Sequence, residues 1–382
     1  MRVAYVTTDP GISAFGSKGA SIHVQAILGA FLRRGTEVTL FAPDPGPAPP
    51  SLAGLRIVSL PSAPKGAPEA RVQALVAADA ALPERLAAAG PFDLLYERHA
   101  LFASSATGFA VLHDLTSVLE VNAPLIDEQV RHRGLARAHR AAVATRAAMR
   151  SATRVVAVSD AVADYARAHG ARAPRVVANG VDPTRFDTVP RFEKPFTAGF
   201  VGTLKPWHDT ETLLAALPTL RSRVPDARLL VVGDGPERER LMLAAQELHL
   251  GHAVEFTGSL PPEAVPAQLA RMHAGVAPYR GGEPFYLSPL KLYEYMAAGL
   301  PIVASDVGDL ARLVTEGGAG RAVPPDDPAA LATALADLAR SPEDAARRGA
   351  AGRAHVTAHH SWDRVLERIL EGISAFEARG AA

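Results

Sequence analysis

The chain has 382 residues, of which 48% are hydrophobic and 21% are charged, and its 40 basic side chains balance its 40 acidic ones. This length is typical of two domains, and the balanced charge provides no overall field that would recruit nucleic acid. The absence of cysteine excludes disulfides and thiolate metal sites. The first residues predict no signal peptide and no apolar run reaches the length of a membrane span, so a cytoplasmic protein is expected.

The N-terminal half alternates short β-branched segments with longer alanine-rich ones. Helices are predicted over 21–35 and over about 67–89. The expected strands cover residues 2–7, 37–43, 55–60, 92–97, 117–122, 153–159 and 174–182. Strands that alternate with helices indicate a parallel sheet with helices on both faces.

The same alternation restarts after residues 183–195, which are interpreted as a linker. Five more strands are predicted to end near residues 202, 235, 258, 279 and 308, and 361–380 has helical periodicity. The fold class is therefore α/β, with two doubly wound Rossmann-like domains. Ligands of such sheets bind beyond the carboxyl ends of the strands, where this chain has loops rich in Gly, Pro and polar residues.

The segment "SPLKLYEYMAAG" (288–299) follows one of these strand ends. Ser288 is predicted to be the N-cap of a helix with Pro289 in its first turn. The helix start attracts anions, Lys291 adds a positive charge, and Glu294 lies one turn deeper. This arrangement fits a diphosphate that carries a ribose. The alternative is an ordinary helix start with an exposed i,i+3 ion pair.

Several motifs resemble the C-terminal half of retaining glycosyltransferases of family 4: "FYLSPLKLYEYMAAGLPIVASDVG", "NGVD", "VGDGPERERL" and "VEFTGSL". The stretch "KGASIHVQAILGAFLRRGTEVTLFAP" is similar to the family's opening glycine loop and helix. The resemblance spans nearly the whole chain and implies the GT-B fold, in which two Rossmann-like domains face each other across a cleft. It implies an N-terminal acceptor domain over 1–187 and a nucleotide-sugar donor domain over 188–360, with the terminal helix 361–382 packing back on the first.

The resemblance also implies an activity. The expected reaction moves a sugar from a nucleotide-diphosphate sugar to the hydroxyl group of a glycan, a lipid-linked molecule or a small molecule, with retention of anomeric configuration. A UDP-sugar is favoured as co-substrate, with a GDP-sugar as the alternative, and no cofactor is expected. The chain has no Asp-x-Asp motif and no His/Asp/Glu cluster at metal-ligand spacing, so no metal is expected either.

Two positions depart from the family pattern. The family has two glutamates separated by seven residues, and Glu294 matches the second, whose implied role is to bind the ribose hydroxyls. Tyr286 occupies the position of the first, and Glu283 is expected to replace it with a shifted register. Thr203 and His208 stand where the family commonly has an arginine and a lysine for the diphosphate, so Lys205 between them is expected to supply that charge.

The resemblance therefore implies three sets of residues. Lys205, Lys291 and Glu283 form the catalytic set. Donor contacts are expected from Gly16, Gly19, Thr203, His208, Gly258, Ser259, Leu260, Tyr286, Leu287, Ser288, Pro289, Leu290 and Glu294. The expected acceptor side comprises His23, Glu97, Arg98, Glu120 and Asn122, although a structural role is favoured for His23. Without the resemblance, the glycine-containing loops are as compatible with ordinary turns as with donor-binding loops.

Three other functions compete with glycosyl transfer. A sugar-nucleotide epimerase would share the two-Rossmann layout, but it needs a catalytic acid and base that the sequence does not offer. A non-catalytic nucleotide-sugar-binding module is kept open by the altered residues Thr203, His208 and Tyr286. An NAD-dependent oxidoreductase is disfavoured because no GxGxxG motif follows the first strand of either domain.

One basic segment concerns partners. Residues 131–154 contain seven arginines, two histidines and no acidic residue. Such a stretch is more often a solvated helix face, which is the favoured interpretation. The alternative is peripheral contact with an anionic inner-membrane surface or with a phosphorylated acceptor.

Overall fold

The computed structural model describes residues 1–64, 66–132, 134–186, 195–282 and 285–373. The chain forms two compact units. The first contains Met1–Asn179, Tyr286–Ser288 and the segment that begins at Trp362, and the second contains Gly180–Phe285 and Pro289–Ser361.

The first unit is built on a seven-stranded sheet in the order β3-β2-β1-β4-β5-β6-β7. Its strands are β1 Arg2–Thr7, β2 Glu37–Pro43, β3 Arg56–Leu60, β4 Leu94–Arg98, β5 Ser117–Val121, β6 Arg154–Ala157 and β7 Arg175–Val176. Every pairing is parallel. The central strands are buried on both faces, which explains why they read as continuous apolar runs in the sequence.

Seven helices follow the strands of this unit: α1 Gly19–Arg33, α2 Pro68–Ala80, α3 Leu82–Ala89, α4 Ser105–Leu112, α5 Leu125–His132, α6 Ala138–Ser151 and α7 Asp160–Ala168. The prediction of one helix over 67–89 is wrong, because α2 ends at Ala80 and α3 starts at Leu82. Pro83 has no N–H to donate, and it is tolerated only in the first turn of a helix.

The second unit has a parallel six-stranded sheet in the order β10-β9-β8-β11-β12-β13. The strands are β8 Thr197–Val201, β9 Arg228–Val232, β10 Val254–Gly258, β11 Ala274–Ala277, β12 Ile302–Ser305 and β13 Gly320–Val323. The sequence predicted the first five. It missed β13, a four-residue edge strand, because "GRAV" is too short to show a period.

The helices of the second unit are α8 Thr210–Arg223, α9 Arg238–Glu247, α10 Val265–Leu269, α11 Leu290–Ala297, α12 Leu310–Glu316, α13 Pro328–Arg340 and α14 Pro342–His359. The last described helix, α15 Trp362–Leu370, belongs to the first unit. It packs against α1, where Arg33 Nη2 lies 2.9 Å from Asp363 Oδ1 and the Trp362 ring lies 5.0 Å from the His23 ring.

The change of unit falls between residues 179 and 180, ahead of the predicted 187/188 boundary. Two contacts account for this position. Val181 N–H donates to the carbonyl oxygen of His360 at 2.8 Å, and Arg185 Nη2 donates to the carbonyl oxygen of Pro262 at 2.7 Å. The segment after Asn179 therefore already belongs to the second unit. The core of the predicted linker, 187–194, lies outside the described residues.

Candidate active site

Glycines stand at three adjacent strand ends of the second unit. Gly202, Gly233 and Gly258 have φ angles of +145°, +139° and +73°, a region that favours glycine. A Cβ on Gly233 would lie 2.0 Å from the carbonyl oxygen of Gly202, and one on Gly235 would lie 2.4 Å from that of Leu204. Backbone therefore packs directly on backbone at the carboxyl edge of this sheet, where doubly wound folds bind their ligands.

Lys291 lies in the first turn of α11 and is only 7% exposed. Its Nζ atom is 4.0 Å from the centroid of the Phe200 ring and 5.2 Å from that of Tyr279. It is also 3.2 Å from where a Cβ of Gly202 would stand. Among the described residues, Nζ has no hydrogen-bond partner. Burial lowers the pKa of Lys291 to about 7, although Glu294 opposes this shift.

The start of α11 differs from the prediction by one residue. Pro289, and not Ser288, is the N-cap, and it makes no side-chain capping bond. The hydroxyl of Ser288 instead accepts from Asn179 N–H at 3.1 Å, and Asn179 Nδ2 donates to the Ser288 carbonyl oxygen at 2.8 Å. The sequence could not reveal this, because the competing donor is 109 residues away. The first N–H groups of α11 are consequently left without a side-chain cap.

Glu294 follows Lys291 by three residues on α11 and is half-buried. Burial raises the pKa of Glu294 to about 6, and Arg185 and Lys291 act in the opposite direction. Arg185 is held by its bond to Pro262, and its guanidinium lies 5.6 Å from the Phe186 ring. Sequence reasoning missed Arg185; its position directly after the "NGVDPT" segment was the available signal.

The loop after β8 carries the residues that replace the family's arginine and lysine. Thr203 is exposed, Lys205 is half-buried, and Lys205 Nζ lies 5.7 Å from the Trp207 ring. The Nδ1 atom of His208 is 2.5 Å from the carbonyl oxygen of Thr203. Burial, Lys291 and Lys205 together lower the pKa of His208 to about 3. His208 is therefore neutral near pH 7 and supplies no charge at the position of the family's lysine.

Tyr286 is engaged within the first unit. Its carbonyl oxygen accepts from the Ser159 hydroxyl at 2.8 Å, its own hydroxyl donates to Glu128, and its ring packs against an apolar cluster that includes Leu119 and Val158. These contacts explain why a tyrosine suits this position; its contact with the donor stays a prediction. Glu283 lies outside the described residues.

The remaining predicted donor contacts are spread over loops of both units. Gly258 ends β10, with Ser259 exposed and Leu260 half-buried beside it, and Leu287 and Leu290 are half-buried at the approach to α11. In the first unit, Gly19 is the exposed first residue of α1. The carbonyl oxygen of Gly16 accepts from Gln25 Nε2 at 2.8 Å, which fixes the preceding loop.

Three of the predicted acceptor-side residues form a buried cluster in the first unit. His23 Nε2 lies 2.8 Å from Glu120 Oε1, and Arg98 Nη1 lies 3.8 Å from Glu120 Oε2. All three are at most 7% exposed. Burial raises the pKa of Glu120, but His23 and Arg98 outweigh it and lower the pKa to about 2. The structure therefore holds His23 and Arg98 beside the buried carboxylate of Glu120, consistent with the structural role favoured for His23.

Glu97 and Asn122 lie at neighbouring strand ends of the same unit. Glu97 is 1% exposed, and burial and the nearby Asp79 raise the pKa of Glu97 to about 8. The carboxyl group is therefore mostly protonated at pH 7. Asn122 is half-buried, and its Nδ2 atom has no hydrogen-bond partner among the described residues. Asn122 therefore has an unused donor, as does Arg98, whose Nη1 atom has no hydrogen-bond partner among the described residues.

Within the described residues, no group of three or more His, Asp or Glu side chains is arranged to hold a metal ion. No helix in the same residues is long and apolar enough to cross a membrane.

Two family models match the chain, one in each half. The model "Glycosyltransferase Family 4" matches residues 17–185, and the model "Glycosyl transferases group 1" matches residues 195–341. The two matches together span most of both units.

Curated relatives include two enzymes of Mycolicibacterium smegmatis. A phosphatidyl-myo-inositol mannosyltransferase is 34% identical over 51% of this chain and 50% of its own length. A GDP-mannose-dependent alpha-(1-6)-phosphatidylinositol monomannoside mannosyltransferase is 34% identical over 53% and 56%, respectively. A glycogen synthase of Mycobacterium tuberculosis is 33% identical over 50% and 45%. The chain thus spans about half the length of the curated relatives that it matches.

Solved structures match over the whole length. Sucrose-phosphate synthase from Thermosynechococcus elongatus has a TM-score of 0.73 at 22% identity and covers 100% of both chains. HepE of Anabaena, solved in complex with UDP, has a TM-score of 0.72 at 19% identity over 98% of this chain and 100% of its own. At such identities the likeness concerns the fold, which is the GT-B fold that the sequence predicted.

Proposed function

The chain belongs to the group 1 glycosyltransferases of family 4, and from this membership we propose that it transfers a sugar from a nucleotide-diphosphate sugar to a hydroxyl acceptor with retention of configuration. The observation that carries the proposal is Lys291, a buried cation without a hydrogen-bond partner among the described residues, at the uncapped start of α11. The oxygens of a diphosphate would accept hydrogen bonds from Lys291 and from the first N–H groups of the helix.

Lys291 acts on the leaving group in this proposal. The bond between the anomeric carbon and the phosphate oxygen breaks while the acceptor oxygen bonds to the same face of that carbon. The acceptor proton passes to the departing phosphate oxygen. Lys291 and the first N–H groups of α11 stabilise the charge on the diphosphate, an electrostatic contribution that is strongest where water is excluded. Lys205, in the loop after β8, adds a second cation. The sequence-based expectation that no metal takes part is retained.

Glu294 binds the donor ribose in this proposal. Its pKa of about 6 keeps the carboxylate mostly ionised at pH 7, so it can accept hydrogen bonds from two hydroxyls. Arg185 limits the electrostatic cost of that buried charge. Gly258, Ser259 and Leu260 at the end of β10 are proposed to contact the base.

The donor base is the first thing to test. The sequence analysis favoured UDP, whereas the name of one 34% identical relative specifies GDP-mannose. Thermal stabilisation by UDP, GDP, ADP and TDP, each with and without EDTA, separates these alternatives. We expect one nucleotide to raise the melting temperature clearly and EDTA to leave the shift unchanged. Absence of any shift would favour a degenerate site, and loss of the shift in EDTA would contradict the metal-free reaction.

The variant Lys291→Met tests the site itself. It keeps the aliphatic stem between the aromatic rings and removes the charge, so the fold should persist. We expect affinity for the stabilising nucleotide to fall about ten- to hundredfold, as is typical for loss of a charge-assisted hydrogen bond. Arg312→Met, at an exposed position of α12, is the matched control and should bind normally. Unchanged affinity in Lys291→Met would contradict the proposed site.

The acceptor is proposed to be a glycan or a lipid-linked hydroxyl. Two of the relatives are named for phosphatidylinositol-based acceptors. Helix α6 presents Arg140, Arg146 and Arg150 to solvent around Val143, which is 50% exposed, and this face could attach the enzyme to an anionic bilayer. We therefore extend the proposal to peripheral membrane contact through residues 131–154.

Sedimentation with vesicles tests this contact. We expect binding to phosphatidylglycerol-containing vesicles, weak binding to phosphatidylcholine alone, and loss of binding in the variant Arg140→Glu/Arg146→Glu. The variant Arg312→Glu/Arg347→Glu changes the net charge equally on the second unit and is the control. Equal losses in both variants would indicate a general charge effect and contradict a role for α6.

A further inference from the structure

The second unit contains a cavity of about 400 Å³ at the amino ends of its strands. It is lined by the first residues of β8, β9 and β10 and by the segments that precede β10 and β11; the lining includes Thr197, Arg228, His252, Glu255, Arg271 and His273. The candidate active site lies at the carboxyl ends of the same strands. Because β9 has five residues, its two ends are roughly 13 Å apart, so one ligand of ordinary size cannot occupy both places.

Positive charge predominates around this cavity. Arg271 is paired with Glu255 through Nη1 to Oε1 at 2.9 Å and Nη2 to Oε2 at 2.5 Å. Arg228 is exposed and forms no ion pair within the described part of the chain. The pair Arg271–Glu255 is neutral as a unit, so Arg228 gives the lining a net positive charge.

A third arginine adds to this charge from behind the lining. Arg221 Nη2 lies 3.3 Å from His252 Nε2, and Arg221 Nη1 donates to the carbonyl oxygen of Ala227 at 2.7 Å. Arg221 is thereby held beside the cavity, bonded to the residue that immediately precedes Arg228. Arg221 and Arg228 thus remain as two positive charges beside the neutral pair of Arg271 and Glu255. Two positive charges suit a ligand with two negative charges better than a ligand with one.

We infer that this cavity is a second anion site, separate from the donor site, which takes a phosphomonoester of about the size of a hexose phosphate. Pockets for small molecules commonly measure about 300–1,000 Å³, and 400 Å³ lies in the lower part of this range. The planar guanidinium of Arg228 matches two phosphate oxygens at once. Thr197 and His252 offer polar groups for the hydroxyls of the remainder. The cavity contains no residue of the proposed catalytic set, so the inference does not depend on the proposed transfer reaction.

Calorimetric titration of the full chain with glucose 6-phosphate is the test. Glucose and inorganic phosphate serve as the two partial ligands. We expect saturable binding of glucose 6-phosphate, weaker binding of inorganic phosphate and none of glucose. The affinity for glucose 6-phosphate should fall at least about tenfold in Arg228→Ala, as expected for loss of a charge-assisted contact. The same affinity should be unchanged in Lys291→Met. Arg223→Ala, an exposed arginine on α8 outside the cavity, is the matched control.

Three results would overturn the inference. The first is that glucose 6-phosphate does not bind to the unaltered chain. The second is that it binds equally to Arg228→Ala and Arg223→Ala. The third is loss of binding in Lys291→Met, which would assign the phosphate to the donor site. Because Arg228 is exposed, its truncation should not affect folding, and an unchanged melting temperature without ligand verifies this. Arg228→Ala should still bind the nucleotide normally. This result separates the test of the cavity from the test of the proposed function.

Discussion

The ammonium group of Lys291 lies 4.0 Å from the centroid of the Phe200 ring. An aromatic face attracts a cation but accepts no conventional hydrogen bond, so it compensates only part of what Lys291 loses on leaving water. The cation is therefore held at an energetic cost in the free protein. An arriving phosphate oxygen would provide the missing acceptor, and the packing on Phe200 keeps Nζ in place for it.

The first prediction concerns pH and the stability of the second unit. The pKa of Lys291 is lowered to about 7 in the folded chain from 10.5, so between these values the unfolded chain binds more protons. The destabilising contribution of Lys291 is thus complete below about pH 7 and declines as pH rises towards 10.5. The melting temperature of Lys291→Met should exceed that of the unaltered chain most at pH 6–7 and least near pH 10. A difference that grows with pH would contradict this assignment.

Glu97 should behave in the opposite way in the first unit. Its folded pKa of about 8 lies above the ordinary value of 4.5, so the folded chain holds a proton that the unfolded chain has released. Stability should therefore fall as pH rises from about 4.5 to 8. Glu97→Gln removes this loss, and its advantage in melting temperature should increase from pH 5 to pH 8. Glu84→Gln, at an exposed position of α3, should show a constant difference.

The strand-end glycines predict a sharp contrast between two substitutions. Gly233→Ala would bring its Cβ within 2.0 Å of the Gly202 carbonyl oxygen, whereas a Cβ on Gly258 meets nothing within 4 Å. Both positions have positive φ, so both variants bear backbone strain of about 1–3 kcal/mol. Gly233→Ala should lose several kcal/mol beyond that, measured by urea unfolding. Similar losses in the two variants would contradict the close packing of the loops.

Glu294 predicts selectivity for ribose. If its carboxylate accepts from the ribose hydroxyls, the unaltered chain should bind the preferred nucleoside diphosphate about tenfold more tightly than its 2′-deoxy analogue. Glu294→Ala should lower the affinity for the ribonucleotide until it is similar to the affinity for the 2′-deoxy analogue. Glu316→Ala, at an exposed site on α12, should keep the preference. Retention of the preference in Glu294→Ala would assign the ribose contact elsewhere.

The sequence predicted the fold well because the relevant information is local and periodic. Twelve of the strands coincide with short predicted strand segments, most of them buried on both faces, and the alternation with helices determined the fold class. Errors occurred where local signals compete. The interval 67–89 is alanine-rich throughout, and only Pro83 indicates the break between α2 and α3. The edge strand β13 is too short to be distinguished from a turn.

The site could be predicted less completely, because its properties depend on contacts distant in sequence. The motif containing Lys291 was visible, but its burial against Phe200 and Tyr279 was not. His208 was expected at a cationic position, yet burial beside two lysines keeps it neutral. Glu120 and Arg98 are suitable residue types for an acceptor site, but they neutralise each other in the interior.

The return of α15 to the first unit has a consequence for how the chain folds during synthesis. Trp362 packs on the ring of His23, and Asp363 and Glu367 bind Arg33 and Arg34 on α1. These partners leave the ribosome more than three hundred residues after α1 does. The first unit therefore stays incomplete while the whole second unit is translated. Domains usually fold in order of synthesis, but here the nascent N-terminal unit must wait for α15 before its surface at α1 is closed.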